Sequence, residues 1–412
     1  MREFIIIGGG AAGLAAALTA ARTVPGLPIR VLEAQSKPGR KLLATGNGRC
    51  NLTNLDLRPR FYHSESRKRL SALLRGMDPQ RTLDFFTSLG LYCTPDEAGR
   101  VYPACRQASM VLEVLLLAVK RANTIQIETD CRVSGIQPGK KGLLVSAEDG
   151  RRFSAGAVLL AAGGQAAPKL GGSPSGYALA EGLGHSIVPL RPCLTPLRCR
   201  GPFKALKGVR VLCRSALYAG GKRLASEEGE IQFTDYGLSG IPALQFSCHP
   251  LEGAEVGLDL LPGWSAEALG QELSRRVRAH PQEPTEDALL GLVHRHIQYA
   301  LLKELKIDPT APAARLTEQQ RERLTRTLKD WRFPVTGTQG WEQAQVTAGG
   351  VSLEEVQEDF SSVFEPRLFL AGEVLDAVGD CGGYNLHWAW CSGMEAGRAA
   401  SELLSRNVKC EM

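Results

Sequence analysis

One stretch of the chain concentrates the side chains able to do chemistry: Gly39-Arg40-Lys41-Leu42-Leu43-Ala44-Thr45-Gly46-Asn47-Gly48-Arg49-Cys50-Asn51-Leu52-Thr53-Asn54. Arg40, Lys41 and Arg49 bring three positive charges. Thr45, Asn47 and Asn51 add hydroxyl and amide groups, and Gly46 and Gly48 allow a ligand to approach the backbone closely. A solvated loop has no need of such density, whereas an anionic, heterocyclic ligand does. Cys50 by itself suggests dithiol redox chemistry. That chemistry needs a second cysteine a few residues away, and positions 51–60 contain none. Cys50 therefore reads as a residue that packs beside the ligand, or at most tunes it.

The elements that must position this block begin at the N-terminus. Phe4-Ile5-Ile6-Ile7 is an apolar run suited to a buried parallel strand, and Gly8-Gly9-Gly10-Ala11-Ala12-Gly13 follows it. Gly8 and Gly10 permit a tight turn and close approach to a pyrophosphate, and Gly13 lets the next helix pack on the strand. That helix, which includes Ala12, presents its free N–H groups and positive dipole end to the phosphates. A second apolar strand, Ile29-Arg30-Val31-Leu32, ends at Glu33, whose carboxylate can accept hydrogen bonds from ribose hydroxyls. No second copy of this fingerprint is convincing. Gly163-Gly164 follows a good strand, but Pro168 and Pro174 come next, and neither Gly220-Gly221 nor Gly349-Gly350 stands between a strand and a helix.

One dinucleotide site must then serve one dinucleotide, and the C-terminal third bears on which. Leu370-Ala371-Gly372-Glu373 resembles the strand-glycine-acid element that FAD enzymes place against the ribityl and pyrophosphate groups. Gly382-Gly383-Tyr384-Asn385-Leu386, just before the last helix, offers N–H groups to a flavin pyrimidine ring, where they favour negative charge. The reading is therefore FAD.

Strand and helix patterns alternate through the first part of the chain, which predicts an α/β fold with a doubly wound sheet. Helices are expected at Arg67–Leu74, Gln80–Leu89 and Met110–Ala122, and strands at Thr124–Thr129, Gly142–Ala147 and Ala157–Ala161. From about Pro189 prolines recur and short strand-like runs follow at Val209–Cys213, Ser215–Ala219 and Glu230–Phe233. A helical module comes next: Ser265–Ala279, Thr285–Leu305 and Thr317–Trp331, with Thr317 and Gln320 at capping-box spacing. After Pro334 strand and glycine character returns, and the last helix is expected at Trp388–Leu404. The division expected is a discontinuous FAD-binding Rossmann-type domain over 1–188 and 345–412, a β-rich domain over 189–262 and 332–344, and a helical domain over 263–331. His294 and His296 are two residues apart and share no helix face, so no metal is expected there.

The block Gly39–Asn54 resembles the signature of the YhiN/BaiN-type flavoproteins, also labelled the aminoacetone-oxidase-like family of FAD-binding enzymes. Further anchors are Arg100-Val101-Tyr102-Pro103, Phe233–Gly240, Thr347-Ala348-Gly349-Gly350-Val351 and Gly372–Gly393. The resemblance spans essentially the whole chain and implies a Rossmann-type FAD domain carrying an inserted β-barrel-like domain and a small helical domain. It implies that Glu33, Arg40, Lys41, Thr45, Gly46, Asn47, Arg49, Cys50 and Asn51 line the FAD. It further implies that Val133 meets the adenine by its backbone, and that Gly163, Gly372, Glu373, Gly383, Tyr384, Asn385 and Leu386 complete the site. Where that family commonly has Thr-Gly-Asp-Gly, this chain has Ser173-Pro174-Ser175-Gly176, so no role is carried over to that loop.

Three function classes stay open. The first is a reductase driven by NAD(P)H, a transient donor, that delivers hydride to an activated C=C bond; the resemblance implies steroid or bile-acid enones. The second is an oxidase of a small amine, and the third a non-catalytic flavin redox sensor. A reductase needs an acid and a group that polarises the enone oxygen, and Tyr102, Arg100 and Tyr236 are the expected candidates, with Asp235 or His387 able to serve. The mild net charge of +6 shows no basic arm, so a small-molecule substrate is expected rather than nucleic acid. No apolar stretch approaches the roughly 20 residues of a membrane span. The N-terminus reads as a strand rather than a signal peptide, and the eleven scattered cysteines read as reduced thiols of a cytoplasmic protein.

Overall fold

The computed structural model describes residues 3–410. The chain forms two compact units, Met1–Pro192 with Ala344–Met412, and Cys193–Gln343. In the first unit β1 (Phe4–Ile7) leads through helix α1 (Ala11–Thr23) to β2 (Ile29–Leu32). β3 (Ile125–Glu128), β4 (Ala157–Leu160) and β5 (Leu368–Leu370) complete a parallel sheet in the order β5-β4-β1-β2-β3. All residues of β1, β4 and β5 are buried. Unbroken Ile, Leu and Val runs form such strands because helices or loops cover both faces. The edge strand β5 comes from far along the chain, so the sheet closes only once the C-terminal segment has returned.

The last helix, Tyr384–Cys410, lies against α1. It begins four residues earlier than the apolar pattern indicated, directly after Gly383. Two glycines set how near the helices come. A Cβ at Gly393 would stand 2.3 Å from the Ala12 carbonyl oxygen, and one at Gly397 would stand 2.4 Å from that of Ala16. The same helix buries Trp388 and Trp390 on two of its sides, and their indole N–H groups donate to Gly372 O and Leu52 O.

The second unit is built on a closed six-stranded barrel. Its strands run in the order Leu197–Cys199, Gly237–Ser239, Lys222–Phe233, Arg210–Ala219, Glu255–Asp259 and Trp331–Thr338, the last pairing with the first. Helices Ala266–Ala279, Arg295–Glu304 and Glu318–Lys329 share one apolar cluster with the barrel, through residues such as Leu273, Leu301, Leu328, Phe233 and Phe333. Thr317 and Gln320 form the expected capping box.

Several expectations need correction. The runs Val209–Cys213 and Ser215–Ala219 are one strand, because Arg214 pairs within the ladder instead of breaking it. The helix expected over Thr285–Leu305 is split. Thr285–Leu289 is a 3-10 turn, Gly291 takes φ +75°, and helix resumes at Arg295 with the His294 ring accepting from His296 N. A short helix, Arg40–Ala44, lies within the block Gly39–Asn54, where no helix is among those expected. Cys193 and Cys248 are joined in a disulfide, so the cysteines are not all free thiols. Their separation of 55 residues carried no signal, and folding of the second unit brings them together. Among the described residues no helix is long and apolar enough to cross a membrane.

The helix contact gives a first prediction. Gly397→Ala places a methyl group against backbone that cannot rotate away, so it should destabilise the protein by about 1–3 kcal/mol. Thermal unfolding should show a melting temperature lowered by several degrees; an unchanged midpoint would refute the close helix approach.

Candidate functional site

The glycine turn lies at the carboxyl end of β1, where ligands of parallel α/β sheets bind. Gly8 has φ +108°, and a Cβ there would stand 2.3 Å from Ala161 O. A Cβ at Gly13 would stand 1.9 Å from Gly8 O, so the turn closes only with glycine at both positions. Gly10 is the N-cap of α1, with no side-chain cap and nothing within 4 Å of where its Cβ would be. The first-turn N–H groups of α1 are thus left for an anion. Ala12 is buried and small because Gly372 and Gly393 pack on it, so it sets spacing within the turn.

At the end of β2 the Glu33 carboxylate accepts hydrogen bonds from Gly9 N and Gln35 N, both at 2.8 Å. This holds it beside the turn with lone pairs to spare for hydroxyl donors. Cys131 N donates to Glu33 O, which brings the buried Val133 to the same end of the sheet. Gly163, at φ +75°, is open, whereas Gly164 is packed against Thr347 and Glu373.

Two remote segments meet at Lys41 and Glu373. Lys41 Nζ lies 2.7 Å from Glu373 Oε2, and Thr347 N donates to Glu373 Oε1 at 2.9 Å. Thr347 Oγ1 accepts from Ala166 N, so the loop after β4 is tied to the same carboxylate. Arg40 bonds the Gln35 side chain and Lys169 O, and Gly372 takes φ +78° with its N–H on Ser392 Oγ.

Beyond the short helix, Thr45 Oγ1 donates to Leu42 O. Gly46, Asn47, Gly48 and Cys50 then take positive φ, a conformation uncommon outside glycine that clusters at functional loops. Asn47 and Arg49 are exposed. Cys50 is fully buried, and burial pushes its thiol up to about 12, so it holds its proton and acts as a packing group. Asn51 is buried with its Oδ1 unpartnered, and a Cβ on Gly383 would stand 2.7 Å from that oxygen. The loop and the Gly382-Gly383 turn are therefore in contact, around a polar atom that lacks a partner. Tyr384 stacks on Phe61, the Asn385 amide clasps Gly379 through N–H and C=O, and Leu386 is partly buried. The uncapped helix start, the open Gly10 and Gly163, the Glu33 carboxylate and the orphaned Asn51 oxygen together fit a flavin dinucleotide.

The catalytic candidates are placed differently from one another. Arg100 is held by Asp96, its Nε 2.8 Å from Oδ2, and against the effect of burial the hydrogen bonds from the Arg100 backbone N–H and guanidinium keep the Asp96 carboxyl below its ordinary range. Tyr102 is buried beneath the guanidiniums of Arg49 and Arg106. Tyr236 belongs to the second unit and is partly exposed, in a turn closed by Thr234 and Gly237. Asp235 is exposed and paired with Lys207. His387 is fully buried, its Nδ1 2.9 Å from Thr53 Oγ1 and 3.1 Å from Thr82 Oγ1, with Nε2 3.3 Å from Met77 O. Burial lowers it to about 4, so it is a neutral structural node. Gln35 and Arg106 escaped the sequence reading. Gln35 adjoins the Glu33 motif and was findable, whereas Arg106 has no motif signal.

Two predictions test this arrangement. Lys41→Met leaves Glu373 without its cation and should lower the flavin content of purified protein, read as the ratio of flavin to protein absorbance; retention at the wild-type level would refute the linkage. His387 has a folded value below its ordinary one near 6.5, so the unfolded chain binds more protons between the two. Stability should fall as pH drops from about 6.5 to about 4, by up to about 3 kcal/mol from this group. His387→Gln should flatten that part of a melting-temperature profile against pH.

Known proteins resemble this chain over essentially its full length. The family model described as the HI0933-like protein Rossmann domain matches residues 2–399. A Clostridium scindens protein named 3-dehydro-bile acid delta(4,6)-reductase is 40% identical over 410 residues, covering 98% of this chain and 100% of the other. An Escherichia coli protein named ribosomal RNA dihydrouridine synthase is 30% identical over 398 residues, covering 95% and 96%. Among solved structures, a 3-ketosteroid-delta4-(5alpha)-dehydrogenase from Rhodococcus jostii matches with a TM-score of 0.52 at 16% identity, covering 97% of each chain. A quinol fumarate reductase chain from E. coli matches with a TM-score of 0.51 at 15% identity, covering 98% of this chain and 71% of the other. At such identities these two matches concern the fold alone. The chain belongs to the HI0933-like family and is an FAD-dependent oxidoreductase built on a Rossmann-type domain.

Proposed function

We propose that this oxidoreductase reduces a C=C bond conjugated to a carbonyl in a hydrophobic, steroid-like substrate, with NAD(P)H as the transient electron donor. The observation that carries the reading is the full-length 40% identity to a protein named as a bile-acid delta(4,6)-reductase. When bound, FAD supplies hydride chemistry at its ring. The start of α1 would hold the pyrophosphate and Glu33 the ribose. Lys41, Asn51 and the N–H groups at Tyr384–Leu386 would border the ring system. A single dinucleotide fingerprint requires the nicotinamide donor to bind without a nucleotide domain of its own.

Roles for the three candidates follow from their surroundings. Tyr236 belongs to the barrel unit, and no role at the flavin is assigned to it. Arg100, engaged by Asp96, and Tyr102, covered by two guanidiniums, act as positioning residues. A second reading, reduction of a uracil ring in RNA, has the support of the 30% relatives named for that modification. Both names describe adding hydrogen across a C=C bond conjugated to a carbonyl.

Anaerobic stopped-flow separates the readings. NADH or NADPH should bleach the flavin, and a 3-oxo-4,6-diene steroid should restore its colour with one product hydrogenated per flavin. Recolouring by an rRNA fragment but not by the steroid would favour the second reading, and peroxide formed with a small amine would sink both.

A further inference from the structure

The strand Arg100–Pro103 presents the Tyr102 ring to two guanidiniums, that of Arg49 from the block implied to line the FAD and that of Arg106 from outside it. It pairs with Cys93–Pro95 and with Thr53–Asn54, which continues from the loop Gly46–Cys50. Tyr102 is 4% exposed because two guanidiniums lie over its ring, Arg106 at 4.6 Å and Arg49 at 5.6 Å from the centroid. Both arginines are themselves exposed. Neither has a carboxylate partner among the described residues: Arg49 Nε donates to Gly46 O, and the Arg106 guanidinium lies on the ring. Elsewhere many of the arginines stand against acids, as Arg100 does on Asp96, Arg367 on Glu365 and Arg398 on Glu395.

Two exposed guanidiniums held on one ring by cation–π contact, neither opposed by a carboxylate, keep their N–H donors available to an anion. The pair is also fixed in place. Arg106 takes φ +55°, and Ala108 N donates to Gly48 O at 2.8 Å, which fastens the two arginine-bearing segments together. FAD phosphates are provided for at the start of α1, and Arg106 lies outside the block that lines the cofactor. Large apolar side chains stand exposed on the adjoining segments: Leu43, Leu55 and Tyr92, the last at 76%. Leu55 N bonds Gly99 O, and Ala104 N bonds Tyr92 O, so two of them border the same small sheet. A paired cation rimmed by apolar surface suits a ligand with one anionic end and a hydrophobic body.

We propose that Arg49 and Arg106, stacked on Tyr102, bind the carboxylate of an amphipathic substrate, an assignment that rests on the reductase reading and adds a charge requirement to it. Guanidiniums accept a carboxylate through paired N–H donors, a geometry that a neutral ester or a lysine does not reproduce. Tyr102 is the platform that aims them.

The test is equilibrium binding to the FAD-loaded protein, which requires no turnover. A 3-oxo-4-ene bile acid and its methyl ester are titrated calorimetrically into wild type, Arg106→Asn and Arg106→Lys; asparagine tolerates the positive φ. Wild type should bind the acid about 10-fold or more tightly than the ester. R106N should lose about 10-fold or more for the acid, with the ester within twofold of wild type, and R106K should fall between. Equal wild-type affinity for acid and ester, no wild-type binding of the acid, or an R106N loss confined to NADPH or to an rRNA fragment would each overturn the assignment. Failure of the reductase reading shows separately, as absence of product from either compound in the stopped-flow assay.

Discussion

Several of the close backbone approaches in the first unit converge on the start of α1, and the site depends on them. Gly8 passes under Ala161, Gly13 sits on the Gly8 carbonyl, and Gly372 and Gly393 press on Ala12 from the C-terminal segment. No side chain fits at the tightest of these crossings. The same absence of Cβ atoms that lets strand, turn and helix close also leaves the α1 N-terminus bare. An anion-binding helix start and a tightly packed core are therefore one physical fact. The C-terminal helix belongs to the binding apparatus because it holds Gly372, Gly393 and the Gly383 turn in register with α1.

Electrostatics then divides the polar groups by their work. Glu33 and Glu373 are held by backbone N–H groups, and Glu373 also by Lys41, so both carboxylates have fixed positions before any ligand arrives. Such preorganisation lowers the reorganisation that binding requires. Cys50 and His387 lie close by in sequence or space, yet burial keeps the first protonated and the second neutral. Residues with reactive side chains can thus be structural, while the buried Asn51 oxygen, a chemically unremarkable amide, is an acceptor with no partner in the protein.

Relatives of similar length carry names for reductions on a steroid and on RNA. A shared core with different substrates demands that discrimination lie outside the cofactor turn. The exposed loop positions beside the buried Tyr102, with their arginines and apolar rim, are one surface free to differ without disturbing the glycine packing. The barrel unit offers another, since its own core, Phe233, Trp331, Phe333 and neighbours, is complete within itself.

Local pattern determined a good deal about this protein. The apolar run Phe4–Ile7, the glycines after it and Glu33 specify a βα turn because strand period, turn geometry and helix start are set by neighbouring residues. Thr317 with Gln320 specified a helix cap for the same reason, and the FAD reading followed from motifs that are contiguous in sequence. Tertiary structure decided what depends on distant partners. Pattern made Thr285–Leu305 one helix, but Gly291 and the His294 cap divide it, since packing on the barrel outweighs a modest local preference. The Cys193–Cys248 bond, the Lys41–Glu373 pair, the burial of His387 and the unpaired arginines over Tyr102 were equally invisible. Each joins residues whose separation carries no periodic signal, and charge state and exposure arise only when the folded chain removes water from one group and leaves it on the next.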